Sequence, residues 1–243
     1  MLKMIKAYLL ILSFSFLVLT VYAQSSEPIE QEKSPKEKLG EEMFGGISHV
    51  WGYRSLKVRE GLFGKPLGIR AHETPLWTTS FELGYRAKMT DKIMLEIGME
   101  FNQWGLQYRT PFDSLFVGYN RVNRGFTAPV RLIFQPLRIS DDFIIQFGIG
   151  GAPRMFMSSQ LTTLSLDNFG KEEETVTKER NGFNSFNIDF IANLGFRWNL
   201  GRNMGVYFVP EFRYGLLDSM EKQSAHVQHN YGLFLRWGVQ WLF

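Results

Sequence analysis

Large apolar side chains occupy every second position over the final stretch of the chain: Tyr231, Leu233, Leu235, Trp237, Val239, Trp241 and Phe243. The row between them reads Gly232, Phe234, Arg236, Gly238, Gln240 and Leu242. A period of two marks a β-strand with one apolar and one mostly polar face. The pattern is cleanest further upstream, where Phe186, Ile188, Phe190, Ala192, Leu194, Phe196 and Trp198 alternate with Asn187, Asp189, Ile191, Asn193, Gly195, Arg197 and Asn199. Eight strands are predicted on this basis, over 42–53, 76–87, 92–108, 122–137, 143–157, 183–200, 204–217 and 230–243. The first is the least regular, because Gly45, Gly46 and His49 blur its alternation. In the third, the apolar row passes from Ile93, Leu95, Ile97, Met99 and Phe101 to Trp104, Leu106 and Tyr108. That change of parity predicts a β-bulge between Asn102 and Trp104.

The connections between these strands alternate in length. Those at 54–75, 109–121, 158–182 and 218–229 are long; those at 88–91, 138–142 and 201–203 are short. The longest carries the charged run KEEETVTKER and is expected to be a solvated loop. Membrane barrels show this asymmetry, with short periplasmic turns and long extracellular loops. An even strand count then places both termini on the periplasmic side.

The N-terminal stretch supports export. Lys3 and Lys6 precede an apolar run from Ala7 to Val21, and Val21-Tyr22-Ala23 is a cleavage motif. We read 1–23 as a secretory signal peptide rather than an uncleaved anchor, 24–40 as a polar periplasmic lead-in with Pro28 and Pro35, and 41–243 as the barrel. No later segment has the apolar length of a spanning helix, but a closed barrel crosses a bilayer without one, since closure pairs every backbone group. There are no cysteines, which excludes disulfides and thiolate metal sites. The formal charge of +3 falls by the two signal-peptide lysines, and a near-neutral chain does not suggest nucleic acid as a partner.

Alternation alone does not say which row faces inward, because a soluble ligand-carrying barrel alternates too. Three features put the polar row inside. It is rich in glycine: Gly84, Gly98, Gly148, Gly150, Gly195, Gly215 and Gly238. It carries Glu82, Glu96, Glu100, Asp189 and Glu211 against Arg86, Arg131, Arg154, Arg197, Arg213 and Arg236, with no lysine. Arginine suits bidentate pairing with carboxylates where water is scarce. Aromatic residues such as Trp77, Tyr85, Trp104, Tyr108, Trp198, Tyr214 and Trp241 lie near strand ends, as interfacial girdles do. The expected fold is therefore all-β: an eight-stranded antiparallel up-and-down transmembrane barrel of outer-membrane type, whose narrow lumen is filled by a charge network rather than a wide channel.

From Asn120 onward the chain resembles the PorT-like family of outer-membrane β-barrel domains. The resemblance rests on the segments TAPVRLIFQPLRISDDFIIQFGIGGAPRMFMSS, FNIDFIANLGFRWNLGRNMGVYFVPEFRYGLLD and NYGLFLRWGVQWLF. It stands on Pro129, Gly148, Gly150, the Ala152-Pro153 pair, Gly195, Tyr214, Gly215 and Leu216, and is looser between Met43 and Arg109. It implies an eight-stranded outer-membrane barrel; one member type is linked to a protein-secretion apparatus.

A structural or interaction role is expected, in the outer membrane of a Gram-negative cell. The expected partners are outer-membrane lipid and lipopolysaccharide, other envelope proteins, and the barrel-assembly machinery, which would read Trp237, Val239, Trp241 and Phe243 on the closing strand. Lys171, Lys178 and Arg180 could touch lipopolysaccharide phosphates. The rivals are a secretion-machine component, a lipid A-modifying enzyme and a narrow transporter of small apolar ligands. Catalysis would need the loop histidines His72, His226 and His229 to converge with Asp218 or Glu221; Ser48 and His49, as strand neighbours, point to opposite faces. No phosphate-binding loop or zinc spacing is present, and no cofactor is expected.

Overall fold

The structure, a computed structural model, describes residues 41–58, 73–109, 116–140, 142–166, 171–201, 203–221 and 226–243. The stretches read as signal peptide (1–23) and lead-in (24–40), and His72, lie outside these residues. Ten strands form: β1 (Glu41–Val58), β2 (Glu73–Lys88), β3 (Ile93–Arg109), β4 (Phe116–Thr127), β5 (Val130–Arg138), β6 (Phe143–Leu166), β7 (Glu172–Glu179), β8 (Phe186–Asn199), β9 (Met204–Gly215) and β10 (His226–Leu242). Every pairing is antiparallel, and each wall strand pairs with its neighbours in the chain. β10 pairs along its whole length with β1, from Glu42 opposite Leu242 to Val58 opposite His226. The ring thus closes on itself, and closure leaves the wall no open edge.

The wall has eight strands, because β4 and β5 act as one. Against β3, Glu100 faces Thr127 and Ile97 faces Val130, so the register runs through Ala128-Pro129 without a shift. It also holds against β6, where Arg154 faces Thr127 and Gly151 faces Val130. The interruption is chemical: proline has no N–H to give the ladder. Gly98 still donates to the Pro129 carbonyl, and Ala128 to the Pro153 carbonyl, both at 2.9 Å.

Three expectations need correction. The run at 171–180 is not a loop. β6 continues to Leu166, and β7 folds back on it, from Ser159 opposite Glu179 to Leu166 opposite Glu172. Exposed on both faces, β7 has no apolar row to betray it. Second, β3 does not change phase. Met94, Glu96, Gly98, Glu100, Asn102, Trp104 and Leu106 are all buried, so its inward row is unbroken and turns apolar near the top. The extra residue lies on β2, where residues 77–80 span the gap opposite 102–104. Third, Trp104 is only 6 % exposed and belongs to the lumen, not to a girdle. Phe183, placed by sequence in a strand, instead makes an isolated bridge with Met220 before β8 begins.

The outside of the ring is apolar. Phe81, Leu83, Ile97, Met99, Leu132, Phe147, Ile149, Phe190 and Phe212 all stand exposed. Arg86, Arg131, Arg213 and Arg236 are among the most deeply buried side chains. A water-soluble protein has the reverse arrangement. Apolar outside and ionic inside is the polarity of a barrel in lipid. No helix among the described residues is long and apolar enough to cross a membrane; the strands do so instead.

The lumen as candidate functional site

All eight wall strands send charge inward. Twelve charged side chains are buried among the described residues: Glu42, Glu82, Glu96, Glu100, Asp189 and Glu211, with Arg86, Arg131, Arg154, Arg197, Arg213 and Arg236. Six acids face six arginines, so the network is formally neutral. All eleven residues assigned to it from sequence lie within it; Glu42 is the addition. Its row on β1 is punctuated by Gly46 and Ser48, which concealed the alternation.

The network is layered. Nearest the short turns, Glu42 accepts from Arg197 and lies 3.6 Å from Arg86. Above it, Glu96 is held by three arginines: Arg86 Nε at 2.6 Å, Arg131 Nη1 at 2.6 Å and Arg236 Nη2 at 3.0 Å. Glu211 is held similarly, by Arg131 Nη2 at 3.0 Å, Arg213 Nε at 2.6 Å and Arg236 Nη1 at 3.0 Å. Arg236 also reaches Glu82 at 2.8 Å, and Arg213 reaches Glu100 at 2.7 Å. Arg154 and Asp189 pair at 3.1 Å nearer the outer end. Taking such charges out of water is costly, and only mutual pairing offsets it. Arginine's planar fork lets one side chain serve two or three carboxylates at once.

Aromatic rings pack the space between the charges. Phe44 lies under the Arg86 guanidinium at 4.4 Å, and Phe234 under that of Arg213 at 4.0 Å. Tyr207 donates its hydroxyl to Glu82 at 2.8 Å. Glycines make room: a Cβ on Gly46 would meet the Tyr207 hydroxyl at 2.2 Å. Sequence reasoning missed Phe44 and Tyr207, which share the parity of Glu42 and Glu211 on their strands.

Above the ionic layers sits an apolar one, formed by Val50, Trp104, Phe156, Phe183 and Phe234 with Met220 packed against it. Phe156 and Phe183 stack at 4.8 Å. The Phe183–Met220 bridge draws two outer connections together over this layer. Higher still, Glu73 accepts from Arg54 Nε at 3.1 Å and from the Tyr119 hydroxyl at 2.8 Å.

The histidines with described side chains, His49 and His229, sit in outward rows away from the ionic network. His49 faces outward, its ring 6.3 Å from that of Trp237. His229 stacks on Tyr214 and places Nδ1 3.0 Å from the Gly215 carbonyl oxygen. Asp218 accepts from the backbone N–H groups of Met220 and Gln228 at 3.0 and 2.8 Å, so it shapes its own turn. His72 and the side chain of His226 lie outside the described residues. Of the closing-strand residues, Trp241 and Phe243 are exposed on the apolar face, with Trp237 and Val239 in the same row and partly covered.

No protein-family model matches the chain, and no curated protein matches its sequence. Several solved structures share its backbone course. The outer-membrane protein OprG from Pseudomonas aeruginosa is 14 % identical with a TM-score of 0.48, over 84 % of this chain and 96 % of OprG. Neisserial surface protein A is 10 % identical with a TM-score of 0.42, over 84 % and 97 %. Ail, the attachment invasion locus protein of Yersinia pestis, is 12 % identical with a TM-score of 0.36, over 85 % and 99 %. None of these proteins' activities carries over to this chain.

Proposed function

We propose that the protein is a non-enzymatic, sealed outer-membrane barrel of a Gram-negative cell envelope, working through its outer surfaces rather than through a conducting or catalytic interior. The single observation that carries this is the filled lumen. Six acids and six arginines cross-link all eight wall strands, and an aromatic layer closes the outer end. An eight-stranded ring has room for side chains and little else. Lipid and lipopolysaccharide surround the apolar belt, and the assembly machinery reads the closing strand. The ends of the described barrel, Glu41 and Phe243, are joined by a backbone hydrogen bond, and we assign this end of the barrel to the periplasmic side. The resemblance to PorT-like barrels agrees with this reading and would make an envelope-protein partner the natural ligand.

Planar-bilayer recording tests the proposal. The purified, folded protein is expected to show no steady ion current above the lipid baseline. A stable open channel would overturn the sealed reading. Unchanged lipid A in cells overproducing the protein is expected; a modified lipid A would overturn the non-enzymatic one.

A further inference from the structure

Ring closure removes every edge from the wall, yet β7 restores one. It pairs with β6 on one side, and no strand meets its other side among the described residues. An eight-residue strand with unpaired N–H and C=O groups is a template for another strand. Edges are commonly blunted by charge. Acids predominate at one end, Glu172, Glu173 and Glu174 beside Lys171, and bases at the other, Lys178 and Arg180 on either side of Glu179. Such an edge is complementary to an antiparallel copy of itself.

Geometry narrows the register. Residues turned toward a strand's free edge share one parity, so two identical edges can pair antiparallel only when partner numbers sum to an even value. Centring the pair on Thr175 sets Glu172 opposite Lys178, Lys171 opposite Glu179, Glu173 opposite Thr177 and Thr175 opposite itself. Every charge pair is then of opposite sign, with Glu179 also meeting Arg121 of its own chain at 3.4 Å. Centring on Val176 also sets Glu174 opposite Lys178 and Glu172 opposite Arg180, but it opposes Glu173 to Glu179, a like pair that the Thr175 register avoids. Opposite charges and threonine pairs directly across an antiparallel ladder are favourable, and like charges are not.

We propose that β7 is a homophilic contact strand, pairing with β7 of a second copy held in a facing membrane. The facing orientation follows from symmetry. The two-fold axis of an antiparallel pair stands perpendicular to the sheet. β6 is a single strand from the wall into the hairpin, with one extra residue at Met157; taken as continuing the wall, the hairpin sheet has its axis in the membrane plane. Rotation about such an axis turns the second copy upside down. The contact is small, so avidity between many copies, not a tight single pair, supplies the strength.

The proposal rests on the membrane reading, and the test separates the two. The protein is reconstituted into two populations of phosphatidylcholine vesicles carrying donor and acceptor dyes, and insertion is scored independently by heat-modifiable gel migration. Properly inserted protein is expected to bridge the populations. E172K and K178E are each expected to lower bridging about tenfold when paired with themselves, because each opposes like charges at two positions. Mixing E172K vesicles with K178E vesicles restores opposite charges and is expected to restore bridging. Because the chain has no cysteine, T175C should cross-link copies across vesicles, and V176C less so. Inserted protein that fails to bridge, bridging unaffected by either charge reversal, or no recovery on mixing would overturn the proposal. Protein that does not insert would overturn the membrane reading instead.

Discussion

The ring of Phe44 rests where a side chain on Gly84 would have to go: a Cβ built on Gly84 would stand 2.3 Å from Phe44 Cζ. Phe44 in turn floors the Arg86 guanidinium at 4.4 Å. Replacing Gly84 by valine must therefore push Phe44 off Arg86, and with it the arginine off Glu96. Overpacking of this kind costs about 1–3 kcal/mol. Urea unfolding in lipid vesicles is expected to show G84V destabilised by that amount, and F44L to recover part of the loss. Equal stability of G84V and the parent would contradict the packing described.

Glu96 is one of two lumen acids each held by three arginines, here Arg86, Arg131 and Arg236. Glu96→Gln keeps the shape and removes the charge that all three arginines face. Breaking one partner of a buried ionic group costs about 3–5 kcal/mol, since the remaining charges stay out of water. The unfolding midpoint should fall accordingly, while Glu173→Gln, on exposed β7, should leave it unmoved. Water drawn in to solvate the stranded arginines should also make E96Q leak ions in planar bilayers where the parent does not.

The fold was legible where one row of a strand was continuously apolar and the other mostly polar or charged, as in Phe186–Asn199. It was illegible where that contrast failed. β7 buries neither face, so periodicity had nothing to report. The inward row of β1 runs Glu42, Phe44, Gly46, Ser48, Val50 and Gly52, mixing charge, aromatic and glycine because Tyr207 and Gly238 crowd Gly46. Trp104 was misassigned because an apolar lumen layer looks, in sequence, like a strand that has turned over. Neither closure nor which arginine meets which acid can be read from spacing, since the partners come from strands far apart in the chain: Arg236 and Glu82 are separated by 154 residues.

Trp104 offers a direct optical check of inside against outside. It is 6 % exposed and sits under Arg154 at 4.4 Å, whereas Trp198 is 57 % exposed on the apolar face. Variants keeping a single tryptophan, the others replaced by phenylalanine, can be placed in bilayers of brominated lipid. Emission from the Trp198-only protein should be strongly quenched, and emission from the Trp104-only protein should not. Quenching of both would put the inner row in contact with lipid and invert the fold's polarity.

The seam at Ala128-Pro129 carries the last prediction. Residues facing each other in a hydrogen-bonded antiparallel pair exchange two bonds. Gly98 gives its N–H to Pro129, and Ala128 gives its own to Pro153, but neither proline can return one. Two carbonyls, those of Gly98 and Ala128, therefore lack their ladder donors in adjacent rungs between β3 and β6. In hydrocarbon such a deficit is felt more than in water. Pro129→Ala and Pro153→Ala should each complete one rung and raise stability by roughly 1 kcal/mol, the net value of a typical hydrogen bond. Together they should slow amide exchange at Gly98 and Ala128, while amides of the β1–β10 closure, far from either proline in the ring, exchange as before. Faster exchange at the seam in the double variant would mean that the prolines fix the wall there by their rigidity rather than weaken it by their missing donors.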